Sequence, residues 1–482
     1  MPVLVALYRP KFALKLSYML QAVEYDVSQY LRWFWLESGW DNLDSSRLKW
    51  TAKSRLMAVL AGLVYLCLLA LAGWLWLAWL GDKSLPAFAL AAGITALTPA
   101  MLAHLIILPL IIGTWLIQKP LELMLAGRTK RIFARHPGQV IVIAGSYGKT
   151  SMKHLLKAIL GAKLRVAATP GNYNTPMGIG RFAGRLSGLE DVVIVEAGEY
   201  RPGDVARICR LVKPDIGFIT GANEQHLTRM QSVDNALKTV FELAEYLAEG
   251  SPLYVNGESA YVDEKIIKSD LVYSRQGAGQ LKISQLSTGL GGTELTLKPA
   301  KGKSYKLKTA LMGLHQAGPL AAAAHLAEQL KLKPADIKRG LAELEAHERR
   351  FKPQTISGVT VIDDSYNGNP DGFLAGIDFL SELKNAKRRV YVTPGMVELG
   401  RVSGDIHYSI GRYLGQSKID QVVLNRNPAT EALYQGLTDA KFKGPVHWLD
   451  GAENFLEHLA NYTGTGDVVL MQNSPREDFF YR

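Results

Sequence analysis

The residues best equipped for chemistry sit in one short run: Gly145, Ser146, Tyr147, Gly148, Lys149, Thr150 and Ser151. A glycine-bracketed bend entering a helix offers backbone N–H groups and a helix N-terminus to phosphate oxygens. Lys149 adds a point charge for the β- and γ-phosphates, and the Thr150 hydroxyl is an oxygen ligand for Mg²⁺. The match to the full phosphate-loop pattern is incomplete, because Ile143 stands where the first glycine would be. Two further residues belong to the same reading. Glu196 is a carboxylate able to hold Mg²⁺ against a triphosphate. His226 is a less usual Mg²⁺ ligand, and its surroundings in the sequence fit a core or capping histidine equally well.

Elements must place these groups on one edge. Gln139 to Ala144 is a short, β-branched apolar run that reads as a buried parallel strand, and 152–160 has helical spacing. Residues 191–195 and 215–220 read as two more buried strands, ending at Glu196 and shortly before His226. In a doubly wound sheet the ligand site lies beyond the carboxyl ends of the strands. That rule puts Glu196 and His226 on the edge that carries Lys149 and Thr150. The stretch 252–310 alternates and reads as a small β excursion. Strands near 359–362, 389–392, 421–424 and 467–471, separated by helical segments, predict a second, mostly parallel sheet.

Several segments in this order resemble a known family. They are the 145–151 loop, Thr169-Pro-Gly-Asn-Tyr-Asn-Thr-Pro-Met-Gly178, Glu196-Ala-Gly198, His226-Leu227, Asp363-Asp-Ser-Tyr-Asn-Gly-Asn-Pro370 and Thr393-Pro-Gly-Met-Val-Glu-Leu-Gly400. The pattern is similar to that of Mur ligases over roughly residues 138–482, and most of all to a D-alanyl-D-alanine-adding branch with an N-terminal membrane segment. The resemblance implies an ATP- and Mg²⁺-dependent ligase that phosphorylates a carboxylate and lets an amine displace the phosphate. It also implies roles. Lys149 and Thr150 serve the triphosphate and its metal, Glu196 and His226 ligate Mg²⁺, and Asn172 and Asn174 lie near the reacting phosphate and acceptor. Asp363, Asp364, Tyr366, Asn367 and Asn369 resemble the segment that closes over the nucleotide, and Arg349 or Arg350 the arginine that reaches its phosphates. A hinge is expected across 341–352.

Three features depart from the family pattern. Aligning on Glu242 puts Val240 where many Mur ligases carry a carbamylated, metal-binding lysine, and Lys238 points to a different helix face. Counting from Gly313 and His315, Pro319 replaces an asparagine expected near the nucleotide. Residues 1–137 leave no room for the soluble domain that usually grips a UDP-sugar, which prompts the idea of a lipid-linked acceptor.

That N-terminal third is compositionally distinct. It holds eight of the nine tryptophans and carries 14 Lys+Arg against 7 Asp+Glu, so +7 of the +11 net charge lies there. Two uncharged runs, about 56–80 and 88–117, exceed the ~20 apolar residues that a membrane-crossing helix needs. Basic residues flank both, including Lys53, Arg55, Arg128 and Arg131, and put both ends of the hairpin in the cytoplasm. Tyr18, Tyr25, Tyr30, Trp33, Phe34 and Trp35, mixed with Lys15, Asp26 and Arg32, fit a helix in the headgroup layer. Two cysteines exclude a disulfide scaffold.

The expected architecture is therefore α/β: a phosphate-loop nucleotide-binding domain (138–345) and a C-terminal Rossmann-like domain (346–482). A two-helix transmembrane hairpin module (1–137) precedes them. The expected partners are the lipid bilayer, a UDP- or lipid-linked cell-wall precursor and an amino acid or dipeptide, with no nucleic acid. The expected location is the cytoplasmic membrane, with the catalytic domains in the cytoplasm. A ligase for another amide polymer, such as poly-γ-glutamate, and a nucleotide-binding scaffold without ligase activity are the alternatives.

Overall fold

The computed structural model describes residues 10–23, 25–36, 48–171, 173–225, 227–262, 265–266, 271–344, 351–366, 368–450 and 453–475. The chain forms two compact units, Met1–Met124 and Leu125–Arg482.

The first unit is helical: α1 (Pro10–Ala22), α2 (Val27–Leu36), α3 (Ala52–Asp82), α4 (Leu85–Leu105) and α5 (Leu108–Gly113). Thr51 caps α3 by accepting from the Ser54 N–H at 3.1 Å, and Ser84 caps α4. Leu56, Leu63, Leu66, Trp74 and Leu77 on α3 are exposed, an arrangement that water disfavours and hydrocarbon accepts. Among the described residues, the stretches long and apolar enough to cross a membrane are Ala52–Gly81 and Ala100–Arg135, while Leu85–Thr98 is apolar but shorter.

Two expectations change here. The second apolar run is not one helix over 88–117, because α4 ends at Leu105 and the chain restarts at Leu108 with Pro109 in its first turn. Proline lacks the N–H that would continue the ladder. The aromatic segment is two helices rather than one surface helix, with Tyr25 in a left-handed conformation (φ 62°) between them. Its aromatic face is satisfied inside the unit. Tyr30 and Trp33 are fully buried, the Tyr30 hydroxyl donates to the Ala103 carbonyl at 3.1 Å, and Phe34 meets the His104 ring edge-on. Only Trp35 of that aromatic group is strongly exposed.

The helix α6 (Lys119–Arg135) crosses the unit boundary. Its second half belongs to the larger unit, where Phe133 packs with Val140, Val142 and Phe182.

Among the described residues, the larger unit contains two sheets. The first has ten strands in the order β10-β9-β8-β7-β6-β5-β4-β1-β3-β2. Its parallel part is β1 (Gln139–Ala144), β2 (Val166–Ala168), β3 (Val192–Glu196), β4 (Ile216–Ile219), β5 (Leu253–Asn256) and β6 (Leu271–Ser274). Antiparallel β7 (Gly277–Ala278), β8 (Leu281–Gly289), β9 (Gly292–Lys298) and β10 (Tyr305–Thr309) extend the same sheet, so the β excursion is continuous with it.

β1 is apolar from Val140 to Ala144 because both its faces are covered there. Ile141 and Ile143 pack under α7 (Lys149–Gly161), against Met152, Leu155 and Ile159. Val140, Val142 and Ala144 face the opposite layer with Val193, Val195 and Val205. Each such burial contributes about 1.5–3 kcal/mol. The second sheet runs β11-β12-β16-β13-β14-β15. Its strands are β11 (Lys352–Ile356), β12 (Val359–Asp364), β13 (Arg389–Thr393), β14 (Gln421–Asn425), β15 (Val446–Leu449) and β16 (Val468–Gln472), parallel except for β11.

Candidate active site

Register brings the expected groups together. Ile143 pairs with Glu196 and Ala144 with Ile219, so β1, β3 and β4 all end where the 145–151 loop begins. Gly145 has φ 144°, and a Cβ there would come within 2.2 Å of the Thr220 hydroxyl oxygen, which is why no larger residue fits. Gly148 (φ 74°) turns the chain into α7, and Thr220 donates to the Tyr147 carbonyl, fixing the loop from β4.

At this edge four charged side chains and one hydroxyl meet. Lys149 Nζ lies 2.7 Å from Glu199 Oε1 and also donates to the Gly145 carbonyl. Lys153 Nζ lies 2.8 Å from Glu196 Oε2 and 2.7 Å from the Gly171 carbonyl. The Thr150 hydroxyl donates to Glu196 Oε2 at 3.1 Å. Burial pushes the Glu196 carboxyl up, but the Lys153 and Lys149 charges and hydrogen bonds from Lys153 and Thr150 outweigh it and hold it below the usual glutamate value.

An ionised carboxylate beside a hydroxyl is a hard oxygen set that suits Mg²⁺, which retains phosphate and water ligands. Among the described residues no cluster of three or more His, Cys, Asp or Glu gathers around one point. The Thr150–Glu196 pair therefore fits a cation held jointly with phosphate better than a cage of protein ligands.

A cavity of about 370 Å³ opens from Gly148, Thr150 and Ser151 toward the second sheet, where Asp364, Asn369 and Asp371 line it. Asn369 caps α8 (Pro370–Glu382), accepting from the Gly372 N–H at 3.0 Å. Asn223, in the loop after β4, donates to Asn369 Oδ1 at 3.0 Å and to Asp371 Oδ2 at 2.8 Å. The two sheets thus share one hydrogen-bonded seam at the cavity. Met312, His315, Pro319 and Phe351 also line it. Burial, with the Arg275 charge second, pushes the His315 imidazole down to about 4, so it is neutral at ordinary pH.

Not every expected residue joins the cavity. Asp363 turns aside and accepts from the Ser365 N–H at 3.0 Å, and Tyr366 is 46% exposed outside the lining. Asn174 is buried against the 196–198 segment, its carbonyl accepting from the Gly198 N–H at 2.8 Å. Asn172, His226, Arg349, Arg350 and Asn367 lie outside the described residues. Val240 is wholly buried in the core and Lys238 is exposed, so neither reaches this edge. Glu242 accepts from the Gly203 and Ala206 N–H groups at 2.8 and 2.9 Å instead. Sequence reasoning missed Lys153, Glu199, Asn223 and Asp371. A signal existed for Lys153, one helical turn beyond Lys149 on the same face.

A strand–glycine loop–helix unit with a carboxylate on the neighbouring strand, facing a second, mostly parallel sheet across a cleft, defines an α/β protein of the phosphate-loop type with two sheets flanking one cleft. The Mur ligase middle domain matches residues 143–327, and the Mur ligase glutamate ligase domain matches residues 349–474. The chain belongs to the Mur ligase family, the ATP-dependent amide ligases. It is similar to the UDP-N-acetylmuramoyl-tripeptide–D-alanyl-D-alanine ligase of Bacillus subtilis, 26% identical over 70% of this chain and 73% of that protein. It is also similar to the enzyme of that name from Escherichia coli, 29% identical over 60% of this chain and 64% of that protein. The fold matches a crystal structure of MurF ligase from Thermotoga maritima in complex with ADP, with a TM-score of 0.63, 24% identity and coverage of 73% and 80%.

Proposed function

We propose that this chain is an ATP- and Mg²⁺-dependent ligase of cell-wall precursor synthesis. It joins D-alanyl-D-alanine, or an amino acid, to a muramoyl-peptide-type carboxylate through an acyl phosphate. The observation that carries this reading is the group Lys149, Thr150 and Glu196 beside a cavity that Thr150 lines and that Asp364 and Asn369 complete from the other sheet. The names of the relatives supply the substrates.

The residues divide the work by position. The 145–151 loop would wrap phosphate oxygens, Lys149 would balance their charge, and Thr150 with Glu196 would hold Mg²⁺, with His226 as the expected third ligand. Bound Mg²⁺ supplies charge neutralisation for phosphoryl transfer. The seam through Asn223, Asn369 and Asp371 keeps the second sheet over the nucleotide, excluding water while carboxylate and phosphate meet. Asn172 and Asn174 serve the acceptor side.

The apolar helices hold the enzyme at the cytoplasmic face of the membrane, and a lipid-linked acceptor is the form that suits such tethering. Purified full-length protein in detergent is expected to release ADP only when acceptor and amine are both present. Release without either, or none with any muramoyl-peptide acceptor, overturns the assignment. Equal turnover of soluble UDP-muramoyl-tripeptide and its lipid-linked form removes the lipid preference. Extraction of the protein from membranes by alkaline carbonate removes the anchor.

A further inference from the structure

Beside the phosphate loop stands a carboxylate to which neither the sequence motifs nor the proposed reaction gives a task. Glu199 is 3% exposed, and its Oε1 lies 2.7 Å from Lys149 Nζ. An ammonium has three hydrogens. Two of those on Lys149 go to Gly145 and Glu199, so a phosphate oxygen arriving there meets a cation already partly engaged.

The geometry also shows that Glu199 is placed independently of the lysine. On one side of it, the Gly198 N–H donates to the Asn174 carbonyl at 2.8 Å. On the other, the Tyr200 and Arg201 N–H groups donate to Asp204 Oδ2 at 3.2 and 2.9 Å, and the Gly203 N–H donates to Glu242. The backbone thus presents the carboxylate to the loop whether or not Lys149 answers it. Glu196 has a separate partner, Lys153, at 2.8 Å. The two ion pairs, Lys149–Glu199 and Lys153–Glu196, are therefore distinct contacts, and although the Lys149 charge also acts on Glu196, only the first engages directly the lysine that a triphosphate needs.

We propose that Glu199 is a positioning residue that competes with the nucleotide's phosphates for the Lys149 ammonium, so that nucleotide capture requires transfer of that ammonium off Glu199. This rests on the phosphate-binding reading of the 145–151 loop. Glu199 is buried and the Lys149 side chain is 12% exposed, so their attraction is little screened, and competition for the ammonium sets nucleotide affinity below what the loop alone would give. It favours release of ADP after turnover.

The test is calorimetric titration of full-length protein with ADP and with a non-hydrolysable ATP analogue, with and without Mg²⁺. Glu199→Gln is expected to tighten Mg²⁺-free binding by roughly tenfold. In a Lys149→Ala background the same change is expected to alter affinity by less than about twofold, because competition acts through that lysine. Unchanged or weaker binding by Glu199→Gln at an unaltered melting temperature overturns the proposal. So does an equal gain in the Lys149→Ala background, which would mark simple repulsion between carboxylate and phosphate. Should Glu199→Gln not fold, Glu199→Asp, which withdraws the carboxylate by one methylene, carries the same test and the same expected tightening. No nucleotide binding by the unaltered protein would overturn the phosphate-loop reading itself, and with it this proposal.

Discussion

The phosphate loop and the 363–369 segment reach the same cavity by different means. The loop is built by its own strand and helix: Gly145 and Gly148 adopt positive φ, and Lys149 and Thr150 then fall at the start of α7. Every expected residue of 145–151 is consequently found at one edge. The 363–369 segment crosses from β12 to α8, and alternation along the strand end splits it. Asp364 faces the cavity, while Asp363 caps its own turn and Tyr366 is exposed. A loop closed by local conformation constrains all its members. A strand-to-helix crossing is held by distant partners, here Gln472 for Asp364 and Asn223 for Asn369.

This contrast can be broken by substitution, and the effects should fall in a definite order. Lys149→Ala is expected to reduce amine-dependent ADP release by roughly 10³-fold or more, since the cation at the phosphates has no substitute. Glu196→Gln should cost roughly 10²-fold and raise the Mg²⁺ concentration needed for half-maximal rate, read by metal titration.

Glu196 also sets a pH signature. Its folded-state pKa is depressed, so its contribution to stability is fully present above the ordinary glutamate value and is lost as pH falls through the lowered folded value. Thermal denaturation across that acidic range should therefore show a loss that Glu196→Gln lacks. A matching loss in the variant would mean that other carboxylates govern it.

Asn369→Ala removes a helix cap and the bond to Asn223, for about 1 kcal/mol of stability and a KM for ATP raised roughly fivefold. Tyr366→Phe should stay within about twofold in every parameter. A larger effect from Tyr366 than from Asn369 would reverse the ranking within the segment and show that the crossing closes differently over substrate.

Much of the fold was legible because β1, β3 and β4 are buried on both faces and so read as short apolar runs, rich in β-branched residues in β1 and β3. The motif order carried the family. The first unit was less legible. Its aromatic residues looked like a membrane-surface stripe, yet Tyr30 and Trp33 pack inside, because a periodic apolar face fits lipid and a neighbouring helix equally well.

The amino-acid order by itself determined the turn of the phosphate loop, the strand that feeds it and the first apolar helix, since each depends mainly on residues close in the chain, with Thr220 then tying the loop down. Only the tertiary structure decided that Glu199 meets Lys149, that Lys153 meets Glu196, and that Asn223 reaches across to Asn369 and Asp371. Those pairings join residues up to 148 positions apart. Their geometry comes from strand order and register, which no local pattern of side chains encodes.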